Sequence, residues 1–301
     1  MAERRAPDGF AAGVMLALCL TWGLQQVAMK AAAPVIAPVM QVGVRSAIAA
    51  LLLLAVMAVR RLSVLGPPGS LRPGVLVGLL FAGEFLFVAL GLSHTTAARM
   101  SVFLYTSPIF TALGLHLLVP GERLDRRQWL GVGFAFVGVA IAFSEGFADA
   151  GALPPNAWLG DLFGLTAGLL WGLTTVAIRA SALSEAPPSC TLLYQLLAAA
   201  AGLLAFSVVT GAHTVGPMTP IAWTSMAFQS VVVTFGSFLV WFWLLRRYLA
   251  SRLAVFSFLT PVVGIAAGVL LLNDPFALNF AAGAVCIFAG ITLVNFSSRS
   301  R

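Results

Sequence analysis

The sequence predicts an all-α integral membrane protein in which ten transmembrane helices form two inverted five-helix repeats. Three observations predict this fold class: a very apolar composition, ten apolar windows of membrane-spanning length, and an internal repeat. Of the 301 residues, 60% are hydrophobic and only 9% are charged, and the mean hydropathy is +1.00. Such a chain has too few polar residues to cover a water-soluble globule, so we expect the bilayer to be its solvent.

Ten windows are long enough to cross a membrane. A helix needs about 20 mostly apolar residues to span a hydrocarbon core of roughly 30 Å, because its backbone polar groups must be satisfied internally. The windows that meet this requirement are residues 10–31, 36–59, 73–93, 97–119, 128–145, 158–180, 189–211, 220–245, 250–272 and 278–296. The segments between them carry Pro, Gly, Ser or charged residues, which are typical of helix ends and turns.

The two halves of the chain share one sequence plan. Residues 21–30 (TWGLQQVAMK) correspond to residues 170–179 (LWGLTTVAIR), 149 positions later. Residues 97–112 correspond to residues 250–265, 153 positions later. Equivalent windows are therefore five spans apart, and because five is odd, the second half is expected to enter the bilayer from the opposite side. Inverted repeats of this kind are typical of secondary transporters.

The repeat predicts two five-helix units, residues 1–148 and 157–301, within one integrated bundle. Glycines with the same spacing of seven recur in the last window of each unit: Gly131 and Gly138, then Gly283 and Gly290. Helix association in lipid depends on small residues that allow close approach. We therefore expect these glycines to lie at helix contacts.

The positions of the basic residues predict the orientation. Lys and Arg collect on the cytoplasmic side of a membrane, and the segments 60–73 and 120–127 each contain several arginines. The segments 146–157, 212–219 and 273–277 contain neither Lys nor Arg. This alternation predicts a multi-pass protein of the bacterial inner membrane with both termini in the cytoplasm.

Composition and motif content exclude several function classes. The basic residues that give the net charge of +7 sit between apolar windows and form no patch, so no nucleic-acid partner is expected. The three histidines and three cysteines are scattered, and no catalytic, phosphate-binding or metal-ligating spacing occurs. The sequence therefore predicts no enzyme activity, cofactor or metal. The expected partners are a small-molecule substrate and the lipid bilayer; the oligomeric state stays open and a monomer is compatible with these features.

The order of these features resembles the EamA-type transporters of the drug/metabolite transporter superfamily. The features are ten windows, a Trp-Gly pair in the first helix of each half, Pro108 in the fourth helix, then Gly121-Glu122 and the glycine-bearing fifth helix. The resemblance covers nearly the whole chain and is nearest to the amino-acid exporters, including those for aromatic amino acids. It implies a ten-helix bundle around a central substrate cavity, with alternating access. The second half has Asn273-Asp274 where the first has Gly121-Glu122, so no transport role is assigned to Glu122.

Two ionisable residues lie deep inside the apolar windows. Arg45 and Glu84 are each about nine residues from the helix end expected to face outward, or roughly 13 Å deep at 1.5 Å per residue. Charged residues at this depth face the protein interior and mark function. Equal depth would let the two form a structural ion pair. In the other interpretation Glu84 contacts a substrate ammonium or a proton and Arg45 lies toward a carboxylate, and both interpretations stay open.

The first helix of each half presents polar groups beside an indole. Trp22, Gln25 and Gln26 share one helical face, as do Trp171, Thr174 and Thr175 in the equivalent helix. Such a lining suits a zwitterionic or neutral metabolite with an apolar body, although polar residues also join helices in membranes. Tyr194 and Gln195 are further candidates, and Trp241 is interpreted as an interfacial or packing residue. The predicted substrate-binding residues are Trp22, Gln26, Glu84, Tyr105, Trp171 and Thr175.

Two prolines occupy equivalent positions in the fourth and ninth windows. Pro108 and Pro261 each remove one backbone hydrogen bond, so each helix is expected to kink there. Hydroxyls of nearby Thr and Ser residues, such as Thr106 and Ser257, are expected to satisfy the freed carbonyls. Because the prolines are equivalent in the two halves, we interpret them as paired hinges; a static kink that shapes the bundle is the alternative.

Together these features predict a secondary transporter that moves small metabolites across the inner membrane by alternating access. The predicted activity is the export of amino acids with aromatic or other apolar side chains. The alternative is a nucleotide-sugar or other drug/metabolite carrier of the same fold, although phosphates favour several cavity Lys or Arg residues and only Arg45 is deep. A membrane enzyme would show clustered catalytic residues, and a scaffold would need no mid-membrane Glu84.

Overall fold

The computed structural model describes residues 4–95, 97–144, 156–213, 215–272 and 278–295. The described residues form helices and their connections, with isolated β-bridges at two places. In chain order the helices are α1 (Gly9–Ala32), α2 (Pro38–Val59), α3 (Leu71–Leu92), α4 (Ala97–Leu104), α5 (Ser107–Leu118), α6 (Arg126–Ala142), α7 (Ala157–Arg179), α8 (Pro188–Val209), α9 (Pro220–Arg247), α10 (Ala250–Phe256), α11 (Leu259–Leu272) and α12 (Leu278–Asn295).

Eight segments of the described chain are long and apolar enough to cross a membrane. They are α1, α2, α3, the combined α4 and α5, α7, α8, α9 and α12. The other two predicted windows are also helical. The window 128–145 overlaps α6, which has 17 residues and begins two residues earlier, and the window 250–272 is divided between α10 and α11. The protein is thus a multi-pass, all-helical membrane protein, while the ten-span topology and the inverted repeat stay predictions.

Helices from the two halves of the chain interleave in one bundle. The most extensive contacts are those of α6 with α12, α3 with α7, and α2 with α8. Helix α1 also contacts α11, and α5 contacts α7. Each of these pairs joins a helix from the first half of the chain to one from the second half. The two halves therefore share a core.

The contact between α6 and α12 depends on the four predicted glycines. A Cβ atom on Gly131 would lie 2.7 Å from the carbonyl oxygen of Gly290, and one on Gly138 would lie 2.6 Å from that of Gly283. The reverse distances, from a Cβ on Gly283 or Gly290 to the facing carbonyl oxygen, are both 2.5 Å. No side chain fits at such distances, so the prediction that these glycines lie at a helix contact is confirmed.

Local polar contacts explain where α6 begins. The carboxylate of Asp125 accepts a hydrogen bond from the Gln128 amide (2.8 Å), and the Gln128 side chain accepts one from the Asp125 amide (3.0 Å). This capping box satisfies two amides that the first helical turn leaves without partners. The Gln128 side chain also donates to the carbonyl oxygen of Val294 in α12 (3.1 Å). The cap therefore also fixes α6 against its neighbour.

The two prolines follow breaks in their helices. Pro108 is the second residue of α5, after the break between α4 and α5, and Pro261 is the third residue of α11, after the break between α10 and α11. Hydroxyl groups satisfy carbonyls at each break: Thr106 Oγ1 donates to Phe103 (2.5 Å) and Ser257 Oγ donates to Ala254 (2.6 Å). The predicted interruption of both helices is confirmed.

Helix α9 contains a wide segment that the sequence did not predict. Residues Phe228–Ser237 form a π-helix, in which hydrogen bonds run between residues five apart. One face of this segment is buried and polar, with Gln229, Ser230, Thr234 and Ser237 each at most 6% exposed. π-Helical turns are frequent at functional sites, and this one contacts both α1 and α2.

Glu122 forms the most extensive buried polar junction in the described chain. Its carboxylate makes a salt bridge with Arg179 at the end of α7, and each of the two side chains is 2% exposed. It also accepts hydrogen bonds from the amides of Ala250 and Ser251, both at 3.0 Å, and from the Ser251 hydroxyl at 2.8 Å. Arg179 in turn donates to the carbonyl of Leu245 (3.1 Å). Glu122 thus joins α7 and α10 to the connection between α5 and α6, and Arg179 joins them to α9.

The N-terminal segment crosses the same end of the bundle. The amide of Arg5 donates to the carbonyl of Arg247 (3.2 Å), and the carbonyl of Arg5 accepts from the amide of Leu249 (3.0 Å). Asp8 accepts from the Tyr248 hydroxyl (3.1 Å) and from the amide of Ala11 (2.8 Å). The Ala11 hydrogen bond lowers the pKa of the Asp8 carboxyl. This segment therefore reinforces the connection between α9 and α10.

Candidate substrate cavity

A cavity lies among seven helices of the bundle. Residues of α1, α3, α4, α7, α8, α9 and α11 line it, together with Tyr105 in the break between α4 and α5. Its empty volume is about 790 Å³, including the space at its opening. Eight of its sixteen lining residues are aromatic. Concave, mostly apolar cavities of this size with a few polar groups are typical of small-molecule sites.

Five aromatic rings form a continuous wall. Phe85 contacts Phe81 (5.0 Å between ring centroids), and Phe81 contacts Phe238 (5.8 Å). Phe238 contacts Trp22 (6.4 Å), which contacts Trp241 (5.8 Å). Three of the four contacts are edge-to-face, the arrangement that ring quadrupoles favour. We call these five residues the aromatic wall. It joins α1, α3 and α9, so its shape depends on the packing of both halves.

The π-helical segment holds Trp22 in place. The indole Nε1 of Trp22 donates to Ser237 Oγ (2.9 Å), which itself donates to the carbonyl of Val233 (2.6 Å). The polar group of the indole is therefore satisfied inside the protein. The apolar part of the ring is left to line the cavity.

A second aromatic pair belongs to α7 and the α4–α5 break. The rings of Tyr105 and Trp171 are edge-to-face at 5.8 Å, and both line the cavity. Thr174 and Thr175 follow on the same helix and also line it. The Thr174 hydroxyl donates to the carbonyl of Leu170 (2.8 Å), so toward the cavity Thr174 can only accept hydrogen bonds.

Glu84 contributes the one charged side chain among the lining residues that the structure describes. It is 7% exposed, and its carboxylate receives no hydrogen bond or salt bridge from the described residues. It lies between Phe81 and Phe85 on α3. An ionised carboxylate in this setting is costly without a partner, so an ionised Glu84 favours a cation in the cavity.

Arg45 does not pair with Glu84. Both side chains are described, and no salt bridge joins them. The guanidinium of Arg45 is 1% exposed and contacts Gln229 Oε1 (3.4 Å), Met29 Sδ (3.8 Å) and the ring of Phe85 (5.1 Å to the centroid). Gln229 is fixed by a hydrogen bond to Gln41 (3.0 Å). Equal depth along two helices does not bring the groups together, because Arg45 is directed toward the π-helical segment of α9.

The structure brings five of the six predicted substrate-binding residues to one cavity: Trp22, Glu84, Tyr105, Trp171 and Thr175. The side chain of Gln26 lies outside the described part of the molecule, and its neighbour Gln25 lines the cavity. Gln195 also lines it, whereas the Tyr194 hydroxyl donates to the carbonyl of Leu65 (2.9 Å). Pro108 and Pro261 shape the breaks beside the cavity and are not among its lining residues.

Several lining residues were missed by the sequence analysis. Trp241 was interpreted as a packing residue, but it lines the cavity and is part of the aromatic wall. Phe81 and Phe85 were not singled out, although Phe81, Glu84 and Phe85 share one helical face by their three- and four-residue spacing. That spacing would have identified them. Phe238 and Trp241 are likewise three residues apart on α9 and both line the cavity, so the same spacing would have identified Phe238.

The described lining residues include no Lys or Arg, the side chains that bind phosphate groups. Among the described residues, no three His, Cys, Asp or Glu side chains cluster in a way that could hold a metal ion. The chemistry available to the cavity is therefore apolar contact, hydrogen bonding and one negative charge.

Comparisons with known proteins place the chain among transporters. The EamA-like transporter family matches residues 9–144 and again residues 158–296. An uncharacterized transporter of Bacillus subtilis, YoaV, is 26% identical over 95% of this chain and 97% of its own length. Two proteins named probable amino-acid metabolite efflux pump are similar at comparable coverage. The one from Salmonella typhimurium is 28% identical over 98% of this chain and 96% of its own length, and the one from Escherichia coli is 26% identical over 95% of each.

A solved crystal structure has the same fold. It superposes with a TM-score of 0.81 at 20% sequence identity, over 97% of this chain and 99% of the other. The family matches together cover most of the sequence and include every described residue that lines the cavity. This chain is therefore a member of the EamA-like transporter family, within the drug/metabolite transporter superfamily.

Proposed function

We propose that this protein is a secondary transporter that exports amino acids, or metabolites derived from them, by alternating access. The observation that carries the proposal is the cavity, which offers aromatic walls, few hydrogen-bonding groups and a single carboxylate. Such a lining matches a small metabolite with an apolar body and an amino group. The names of the two efflux pumps from Salmonella typhimurium and Escherichia coli agree with this substrate class.

The proposed topology has ten spans and both termini in the cytoplasm of a bacterial inner membrane. It takes α6 as the fifth span and the combined α10 and α11 as the ninth. The Arg-rich segments 60–73 and 120–127 would then lie inside, as the preference of basic residues for the cytoplasmic side requires. In this orientation the Glu122 junction closes the cytoplasmic end of the bundle.

Helix contacts support the proposed inverted repeat, with units 1–148 and 157–301. If each helix is exchanged for its equivalent in the other half, the contact of α1 with α11 becomes that of α7 with α5. The contact of α2 with the π-helical segment becomes that of α8 with α3, and the contact of α3 with α7 becomes that of the π-helical segment with α1. All of these contacts are present. A bundle with this exchange symmetry can open to either side by equivalent movements.

The proposal includes Pro108 and Pro261 as hinges. Replacing either with Ala restores an amide donor and removes the clash of the proline ring with the preceding turn, which allows the two helical segments to join. We expect Pro108→Ala and Pro261→Ala to slow transport without lowering the unfolding temperature. Pro220→Ala is the matched control, because Pro220 begins α9 and does not separate two segments of one helix. Transport rates would be measured in proteoliposomes. If both variants transported as fast as the wild type, the prolines would be static kinks and not hinges.

Transport assays with two tryptophan variants test the proposed function. Purified protein in proteoliposomes should move labelled aromatic or apolar amino acids or their derivatives. Trp171→Ala removes a cavity wall, and we expect it to weaken transport about tenfold, since the loss of about 1.4 kcal/mol of ring contact gives that factor. Trp158→Ala removes a ring from the same helix that is 65% exposed, so transport should not change. Equal effects of the two variants, or no transport of any such compound by the wild type, would refute the proposal.

A further inference from the structure

We propose that the cavity selects its substrate by a protonated amine held by Glu84, with no positive group for a carboxylate. The preferred substrates would then be aromatic or apolar primary amines, and amino-acid derivatives whose carboxylate is absent or masked. Free amino acids would bind less well. This inference rests on the proposed transport function and specifies the substrate class of the same cavity.

The first step of the argument is the charge of the cavity. Glu84 carries the one charge among the described lining residues, and the described residues give its carboxylate neither a hydrogen bond nor a salt bridge. A buried carboxylate is stabilised by a cation that donates hydrogen bonds to it. A primary ammonium group supplies the charge and three donors. A substrate with an ammonium group would therefore supply the counter-charge and the hydrogen bonds that the described residues do not give to Glu84.

The second step concerns Arg45, the nearest candidate for binding a substrate carboxylate. Its guanidinium is 1% exposed and is not among the residues that line the cavity. Its Nη1 contacts Gln229 Oε1, which is held by Gln41, its charge lies over the ring of Phe85, and its Nε has no hydrogen-bond partner among the described residues. A carboxylate in the cavity would therefore meet the negative charge of Glu84 without a cationic partner.

The third step is the aromatic lining, which favours the same class of ligand. The aromatic wall and the Tyr105–Trp171 pair supply ring surfaces on several sides of the cavity. Ring faces attract cations, most strongly those of Trp, and they also bury the apolar body of an aromatic ligand. The electron-rich ring faces do not attract a carboxylate in this way.

Two uncharged polar groups complete the site. Gln195 Nε2 and Thr260 Oγ1 line the cavity on α8 and α11, and neither has a hydrogen-bond partner among the described residues. Buried polar groups of this kind are normally satisfied. They would accommodate a neutral polar substituent, such as an amide, ester or hydroxyl group, at the end of the substrate away from the ammonium.

Three compounds with one indole body test the inference. Tryptamine carries only the amine, tryptophan carries the amine and the carboxylate, and indole-3-propionate carries only the carboxylate. Their binding to the full-length protein would be measured by isothermal titration calorimetry in detergent, and their transport in proteoliposomes. We expect tryptamine to bind at least about tenfold more tightly than tryptophan, and indole-3-propionate to bind more weakly than both. Equal or tighter binding of tryptophan or indole-3-propionate would overturn the inference.

Variants of Glu84 and Arg45 test whether these two side chains determine the preference for an amine. Glu84→Gln should weaken tryptamine binding at least about tenfold and bring the affinities of the three compounds closer together. Glu185→Gln is the control, because the Glu185 side chain is 46% exposed and lies outside the cavity, and it should leave all three affinities unchanged. Arg45→Gln should keep the order of the three compounds. If it weakened tryptophan binding alone, Arg45 would be a carboxylate ligand and the inference would be wrong. Should either variant fail to fold, the ranking of the compounds on the wild type still decides.

The outcomes separate this inference from the proposed function. If the wild type transports labelled tryptophan, phenylalanine or leucine but not tryptamine, the substrate class is wrong and the proposed transport function stands. If it transports none of these compounds, both the inference and the proposed function fail.

Discussion

Glu122→Gln is expected to lower the free energy of unfolding by about 3–5 kcal/mol, the range measured when one partner of a buried ion pair is removed. The substitution leaves Arg179, whose side chain is 2% exposed, without its counter-charge. It also weakens the acceptors for the amides of Ala250 and Ser251. Chemical or thermal unfolding of the purified protein in detergent would measure the loss.

Two further variants show whether burial of the Glu122–Arg179 pair is the reason for the expected loss of stability. Glu185→Gln breaks the salt bridge with Arg4, in which the side chain of Arg4 is 8% exposed and that of Glu185 is 46% exposed, and should cost less than Glu122→Gln because water reaches the Glu185 side of the pair. Combining Glu122→Gln with Arg179→Met removes both buried charges and should recover part of the loss. A loss of similar size for Glu122→Gln and Glu185→Gln would contradict the assignment of Glu122 as a buried junction.

Gly138→Val is expected to separate α6 from α12 and to destabilise the protein by at least about 1–3 kcal/mol, the cost of overpacking a core. A Cβ at Gly138 would lie 2.6 Å from the carbonyl oxygen of Gly283 and 2.8 Å from the amide nitrogen of Ile287. Both are backbone atoms, which cannot move aside as a flexible side chain does. The expected loss would be measured as a lower unfolding temperature in detergent.

Gly133→Val is the matched control for this substitution. Gly133 lies on the same helix, and nothing would come within 4 Å of a Cβ atom there. It should fold as stably as the wild type to within about 0.5 kcal/mol, as surface substitutions usually do. If both valine variants were equally stable, the glycines would not be needed for the contact of α6 with α12.

The sequence was sufficient to predict the helices and the identity of several cavity residues. Apolar length predicted the spans, and the repeat singled out Trp22 and Trp171, which line the cavity. The repeat identified residues of the cavity because the first helix of each half contributes to the same cavity. It also identified Pro108 and Pro261, each of which follows a helix break.

The direction in which each side chain points could not be predicted from the sequence. A membrane helix is apolar on its lipid face and on its buried face, so hydrophobicity does not separate Phe81, which is 7% exposed, from Phe134, which is 50% exposed. The same difficulty affected Arg45 and Glu84, whose depths were predicted but whose rotation about their helix axes was not. Trp241 was misinterpreted because its position near a span end is equally typical of an interfacial residue.

The importance of Glu122 was missed for a different reason. Its partners are the end of α7 and the start of α10, far away in the sequence. The comparison of the two halves gave Asn273-Asp274 as the equivalent of Gly121-Glu122, and this difference argued against a shared transport role. In the structure Glu122 makes a buried junction and is not among the described residues that line the cavity.

The π-helical segment Phe228–Ser237 makes the two halves unequal. Helix α9 has 28 residues whereas α3, its equivalent, has 22, and the repeat offset grows from 149 to 153 positions between the first and second pair of matching segments. If the halves exchange roles during transport, as proposed, the inward-facing and outward-facing conformations are not related by an exact two-fold rotation. Their free energies then differ, and the populations of the two conformations are unequal even without a substrate gradient. The unliganded transporter would therefore have a preferred resting side, set by the shape of one helix.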